Sequence, residues 1–559
     1  MKSFILQVSL TACILLSACQ CAFCQYANRY SQSNSASPAN YELNKSSPSK
    51  RSGYAHSASA LGMLSSQGYD DLTEYPLRSA SNGSYRKPQS MLKWTRNSAI
   101  ISTLNTGEFY RFDFATLSAT RIYSSPHRRW SRMIKLDEQT LAAIDLASDS
   151  IVVFQASENS IQQIATLSAS GNPHSLAWDA ESATLFVSGQ WSQRLYRFRA
   201  DSGLSTWQSM EAIDLPIHGG AICVLPKQQS AVIADAFSGN YVVLAAPTTP
   251  AAKIVHQSNL VGHNVPSLQA RDDEQWIVFP FQLLNPETYS VQGDITWGGL
   301  LSNNIRWLKT ERMLTLGEDE VIKQGKFLPI GQVGNGGGDP NSLQFDSQNR
   351  FAVTLGGIDR VAVGRADQTK LQQFATGLHP IASLFDTTAN RLFVLNEFSD
   401  SISIVDLENE TTTDVPLGPM RELTLAERGE RLFFHSSLAH DGWMSCHSCH
   451  SRGHTSGQLN DNTSDGSLGS PKRILSLLGQ AETAPYSWSG EIPNLEMQVL
   501  NSVQSTMATD FQISRQTVDA IAAYVRTLPA PPSLAKGSKR MKAMHRFKWK
   551  AENCSSSYL

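Results

Sequence analysis

The sequence carries no excess of either charge. Lys and Arg number 47 against 49 Asp and Glu, a formal net charge of −2. That balance excludes a chain built as a whole to bind nucleic acid or an anionic membrane. Cysteine is scarce as well. Of eight in 559 residues, four lie between Cys13 and Cys24, and the others are Cys223, Cys446, Cys449 and Cys554. So few and so scattered, they do not form the disulfide framework of a small secreted scaffold. Beyond the N-terminal segment there is no long hydrophobic run, so no later stretch reads as a membrane-crossing helix, which needs about 20 apolar residues. The long middle region has neither a phosphate-cradling loop nor a nucleophile triad. What remains is an ordinary globular composition, 41% hydrophobic and 17% charged. At roughly 150 residues per domain there is room for two to four domains, or fewer if one is large.

Lys2 precedes a mostly apolar run, Phe4 to Leu16, followed by small residues. A positive start, a short apolar core and small residues define a secretory signal, so residues 1–24 are read as one. Leu16-Ser17-Ala18-Cys19 resembles a bacterial lipobox. That resemblance implies a lipid on Cys19 and attachment to a membrane, the outer membrane being compatible with Gln20. Two other readings stand beside it: plain cleavage a little further on, giving a soluble periplasmic protein, and a buried N-terminal helix. Residues 25–90 are rich in Ser, Asn, Tyr and Pro without hydrophobic period, and are expected to be a flexible tether. At the other end, 533–559 form a tail whose basic stretch runs from Lys536 to Lys550. It is read as a solvated terminus, or as a docking segment for an acidic partner or an anionic surface.

Between 91 and 420 short apolar runs recur without helical period, among them Ile151–Phe154, Leu185–Val187, Ala231–Ala234, Trp276–Phe279 and Ile402–Val405. Gly, Asp, Asn and Ser separate them, as turns separate strands. The runs also repeat as units. Gly171 to Gly203 and the stretch from Gly377 share one order: a Gly- and His-bearing turn, an apolar strand, Asp, a second strand, a polar hairpin, a third strand. Self-similarity at about 40 residues with three or four strands per unit predicts a β-propeller. The copy at Leu392 to Phe398 with Ser399 to Asp406 resembles the YVTN family of propeller repeats, which implies about seven blades and says almost nothing of activity. An insertion at Leu283 to Gly331 blurs the period. His174, His218, His263 and His379 recur near the start of successive inner strands, with Asp339 in place of His in one unit. The expected role is a turn histidine bonded to backbone. The alternative is a ring of imidazoles in the central channel that binds a substrate or a metal.

From 421 to 532 the period changes to helical. Glu422–Leu438, 493–508 and 514–528 are expected helices, the last capped by Ser514 and ended by Pro529. Within this region Cys446-His447-Ser448-Cys449-His450 is C-x-x-C-H, the attachment string for a c-type haem. On one helical turn the two sulfurs meet the two vinyl groups of one porphyrin, and the next imidazole faces the iron. A zinc site would need four ligands, and no second cysteine pair exists. His447 is expected to be an ordinary exposed histidine.

The flanks Gly429–Phe434, Leu438–Gly442 and Met444–His450, with Pro471–Leu477, Thr483–Gly490 and Asn494–Met497 downstream, resemble the bacterial di-haem cytochrome c peroxidase and MauG family over about 110 residues. Chains of that family carry two CxxCH motifs, and this one has a single motif. The resemblance implies one covalent haem c held by Cys446, Cys449 and His450, and an iron-binding methionine after the segment at Leu495. Met507, twelve residues on, is the expected sixth ligand. Met497 is the second candidate or a core residue, and an open iron position is the third possibility. His454 sits too close to His450 in sequence to reach the opposite face. Tyr486 and Trp488 are expected in an aromatic core, with packing on the haem as the alternative. Arg473 is a surface residue or pairs with a propionate.

These readings converge on an exported mono-haem cytochrome that passes electrons, with the propeller as a platform for a redox partner protein or a small-molecule substrate. The alternative is a peroxidase-like or substrate-oxidising haem enzyme with its active site between propeller and haem domain. Neither reading involves nucleic acid.

Overall fold

A computed structural model describes residues 83–532, except 158–159, 272, 318–319, 321–324, 387 and 464–466. The signal segment, Cys19, most of the tether and the basic tail lie outside the described residues.

Seven four-stranded antiparallel sheets follow one another along the chain, at 88–124, 130–168, 173–209, 219–259, 269–329, 340–375 and 380–416, the third with a short extra strand at Ile213–Asp214. They are the blades of a β-propeller. The first strand, Pro88–Thr95, begins inside the segment expected to be tether, and Tyr85 ahead of it is already buried. In each blade the second strand lies between the faces of neighbouring blades. Ser98–Thr103, Thr140–Asp145, Thr184–Gly189 and Ser230–Asp235 are buried at every position. A strand covered on both faces has no polar side to alternate with, which is why these segments read as continuous apolar runs. The outer strands, such as Ser118–Ser124 and Thr411–Pro416, face solvent and are polar.

Repeated turns lock blade to blade. The residue ahead of the inner strand is left-handed at Lys87, Asn172, Asp339 and His379, as is Asn264 in the segment leading into blade five, with φ between 50° and 60°. Hairpin aspartates accept the backbone amides there: Asp149 from Asn172 (3.2 Å), Asp359 from His379 (2.7 Å), and Asp400 from Arg86 (2.7 Å) and Lys87 (2.8 Å). The last of these closes the ring from the seventh blade to the first. Phe114 of blade one stacks on Phe393 of blade seven behind it, and Phe112 meets the same ring edge-on.

The insertion in blade five is an arm. Its long strands, Trp276–Leu284 and Leu301–Lys309, carry between them the short helix α1 (Gln292–Thr296); α2 (Thr310–Thr315) follows on the outer side. Beyond the propeller come α3 (Leu425–Phe433), α4 (Cys446–Cys449), α5 (Leu495–Asn501) and α6 (Arg515–Thr527). A capping box between Thr424 and Glu427 starts α3, and the Ser514 hydroxyl accepts the Thr517 amide (3.1 Å) at the start of α6. α3 is shorter than the sequence predicts. It stops at Phe433 and gives way to separate turns at Ser436–Leu438 and His440–Gly442, because Ser436 is wedged against Gly338 and Gly357 of blade six. α3 and α6 cross closely at Gly429, where a Cβ would lie 1.8 Å from the Ala520 carbonyl oxygen.

The arm and the helices share one core. Leu284, Ile295, Leu300 and Leu301 pack with Leu432, Trp443, Leu495, Val503, Met507 and Ile521. Trp443 lies between Gly298 of the arm and Gly336 of the following glycine-rich loop, and a Cβ at either glycine would sit within 2.7 Å of it. Asn303 donates to the carbonyls of both Gly336 and Trp443, each at 2.8 Å.

Candidate functional site

The Cys446–Cys449 turn begins at Ser445, whose hydroxyl accepts from the Ser448 amide while the Ser448 hydroxyl accepts from the Ser445 amide (2.8 Å). This box winds one helical turn and puts Cys446, Cys449 and His450 on the same cavity. The cavity measures about 240 Å³ and reaches the surface at Leu475 and Trp488. Its walls are mostly apolar, with Phe433, Leu477, Leu495, Val499, Val503 and Ile521 among them, and Met507 lines it too. His450 Nδ1 donates to the Leu475 carbonyl at 2.9 Å. That bond selects the tautomer and leaves Nε2 free to bind a metal. Burial pushes the His450 imidazole down to about 4, the Leu475 bond opposing it, and burial pushes both thiols up to about 12.

Met507 is 4% exposed. It caps a π turn at Ser502–Thr506 that extends α5, and its carbonyl accepts from the His440 amide (3.1 Å). Such turns interrupt helices where a side chain must be re-aimed. Met497, by contrast, is half exposed and does not line the cavity, so it is neither a core residue nor a neighbour of His450. His454 faces away, packed on Phe237 (4.7 Å) and Trp191 (5.6 Å) of the propeller. Tyr486 is half-buried against the helical core. The expectation of a core position fails for Trp488, which is 51% exposed at the cavity rim and donates to the Arg473 carbonyl (3.0 Å). Arg473 is exposed and lines the same rim. Two thiols, an imidazole and a thioether on one apolar cavity form a donor set that fits a c-type haem.

What holds the attachment turn comes from the propeller. Asp339 is buried and accepts from the hydroxyls of Ser445 and Ser448 (2.6 Å for the latter) and from Gln282 Nε2 (3.0 Å). Burial pushes its carboxyl above the usual range, with the two serine hydroxyls opposing. His263 Nε2 donates to the Ser448 carbonyl at 2.6 Å, and Asn264 Nδ2 donates to it at 3.2 Å. Sequence reasoning treated Asp339 only as a departure from the histidine pattern. Its match to His379, each followed by proline, is the sequence feature that puts it at a blade turn.

The propeller histidines divide. His218 and His379 are backbone-bonded turn residues, on the carbonyls of Gln190 (3.0 Å) and Gly356 (3.2 Å). His263 bonds across to the helical domain. His174 lies two residues beyond the left-handed position and faces the channel instead, with no partner at either ring nitrogen. His447 is not an exposed histidine: it is half-buried, stacks on Phe434 (4.7 Å), and lines the channel. No cluster of metal-binding side chains occurs among the described residues.

Curated proteins give no match. Among solved structures, the chain is similar to hydrazine synthase of Kuenenia stuttgartiensis (16% identity, 59% of this chain and 98% of that one, TM-score 0.48). It is also similar to the dihydro-heme d1 dehydrogenase NirN (8% identity, 61% and 68%, TM-score 0.41) and to a protein from Lactobacillus plantarum (13%, 52% and 86%, TM-score 0.39). None of these likenesses carries chemistry to this chain. Residues 424–547, by contrast, match the family model of the di-haem cytochrome c peroxidases. The chain thus joins a seven-bladed β-propeller to a C-terminal region that is similar, over residues 424–547, to the di-haem cytochrome c peroxidases.

Proposed function

We propose that this protein carries one haem c and passes single electrons outside the cytoplasm. In this reading Cys446 and Cys449 are the thioether links, His450 the proximal iron ligand through Nε2, and Met507 the sixth ligand. The observation that carries it is the convergence of these four side chains on one apolar cavity, with His450 oriented by the Leu475 carbonyl. When bound, the haem supplies a one-electron couple whose potential a thioether ligand raises. The chain's own residues do the rest. α5 and α6 exclude water from one side of the cavity, the π turn presents the Met507 sulfur, and Asp339 and His263 fix the attachment turn. A closed site of this kind favours electron carriage over peroxide chemistry. The single CxxCH motif supports one haem per chain.

The propeller serves as platform for a redox partner protein or a small-molecule substrate. The N-terminal segment supports export to the periplasm, with Cys19 as a lipid anchor to the outer membrane. Fractionation tests the anchor: C19A releases the protein into the soluble periplasm, and a wild-type protein that is already soluble refutes it.

Pyridine haemochrome titration of the full chain should give one haem per chain. The ferric protein should be low-spin, with the red charge-transfer band of a thioether ligand, and M507A should lose both while M497A keeps them. A high-spin ferric wild type would overturn the carrier reading in favour of a peroxidase-like enzyme.

A further inference from the structure

The attachment turn separates two cavities. Cys446, Cys449 and His450 line one, and His447 between them lines the other, a chamber of about 480 Å³ where the propeller's central channel meets the helical domain. That volume is within the range of small-molecule sites. Its formal charges balance, Lys87, Arg132 and Arg452 against Asp339, Glu397 and Glu430, but they are unevenly paired. Lys87 is paired with Glu430 (2.5 Å) and Glu397 (3.7 Å), and Glu397 is shared with His379 (3.4 Å). Asp339 is occupied by Ser445, Ser448 and Gln282. With these carboxylates engaged, two guanidiniums are left over. Arg132 reaches only the Pro266 carbonyl, at 3.4 Å, and neither Arg132 nor Arg452 makes an ion pair among the described residues. Glu397, which acts on Arg452 electrostatically, is already held by Lys87 and His379.

We infer that this chamber binds a small anionic ligand, bearing a carboxylate or a comparable oxyanion, through Arg132, Arg452 and His174. Guanidinium groups match such anions with paired N–H donors. Two cations without ion partners among the described residues line this chamber, Arg132 half-buried and Arg452 exposed, and an anion between them offsets their repulsion. His174 supplies a third contact. Both its ring nitrogens are buried without a partner among the described residues, an arrangement that native interiors rarely leave unanswered. Burial, then Arg452 and Arg132, hold its imidazole in the neutral form, which has one N–H to donate. Arg452 is also set in place at a cost. It is left-handed (φ 52°, ψ 37°), and its amide donates to His447 Nδ1 at 3.0 Å. Non-glycine residues persist in that conformation only where their surroundings demand it.

Calorimetric titration of the full-length, haem-loaded protein with sodium succinate and with sodium phosphate tests the site, with uncharged succinamide as control. Saturable binding of one anion per chain is expected, with no binding of the diamide. The stronger of the two anions tells a carboxylate ligand from an inorganic oxyanion. R132Q and R452Q should each weaken binding at least about tenfold, as losing a charge-assisted hydrogen bond implies. R132K, which keeps the charge but not the fork, should fall between wild type and R132Q. Melting temperature and haem spectrum identify variants that fold, and either arginine alone suffices for the comparison. The inference is overturned if neither anion binds below about 10 mM, or if folded R132Q and R452Q bind as tightly as wild type.

Discussion

Replacing Asp339 should loosen the attachment turn more than any other single change in the propeller. Its carboxylate accepts three hydrogen bonds inside the protein, from Ser445, Ser448 and Gln282. D339A strands all three donors. A buried donor left without a partner costs about 1–3 kcal/mol; Ser448 still accepts from the Ser445 amide and Gln282 still donates to Asn303, but neither bond re-satisfies the freed hydrogen. Three stranded donors at the lower end of that range give a loss of about 3–5 kcal/mol. D339N keeps the shape and one acceptor oxygen, and serine hydroxyls can turn to accept, so it should cost about 1 kcal/mol. Guanidinium unfolding of the haem-loaded protein, followed by haem absorbance and by tryptophan fluorescence, measures both. The haem signal should shift to lower denaturant in D339A. Haem per chain after expression should fall as well, because the two cysteines are no longer presented together. If D339A unfolds at the wild-type midpoint and carries a full complement of haem, the clamp does not hold the turn.

G429A should be destabilised by about 1–3 kcal/mol, the usual cost of overpacking. Its Cβ would overlap the Ala520 carbonyl, and an unchanged melting temperature would show that α3 and α6 have room to separate. Asp145 predicts an acid response. Burial pushes its carboxyl up, but Arg128, the Arg129 amide and Ser148 outweigh that and hold it below its ordinary value. A depressed native value stabilises the fold above the unfolded pKa of about 4 and ceases to do so as pH falls through the native value. The melting-temperature gap between wild type and D145N should therefore be widest at neutral pH and should narrow below about pH 4. A gap independent of pH would refute this.

The propeller could be recognised from the chain because its period is local. Each blade buries its middle strands against neighbours of like design, so apolar runs and Asp-bearing turns recur at one spacing. The CxxCH turn was equally legible, since Ser445 to His450 supply the donors and the capping box within six consecutive positions. Met507 was expected from the family resemblance, and only the folded chain separates the two methionines in space, Met507 buried on the cavity that Cys446, Cys449 and His450 line and Met497 exposed away from it. Other features depended on contacts between residues far apart in sequence. Asp339 meets Ser448 across 109 positions and His263 meets it across 185. No periodicity signals such pairings. His447 looked exposed because its sequence neighbours are polar, yet a propeller channel lies over it. The blade-five insertion looked like noise in the repeat, and it supplies Leu284, Ile295, Leu300 and Leu301 to the core of the helical domain. Local patterns in the sequence determined the blades, the helices and the attachment turn, because each rests on neighbours within a few residues. The tertiary structure alone decided how the Cys446–His450 turn is clamped and that Arg132, Arg452 and His174 line one chamber, because burial and charge depend on whatever the rest of the chain brings alongside.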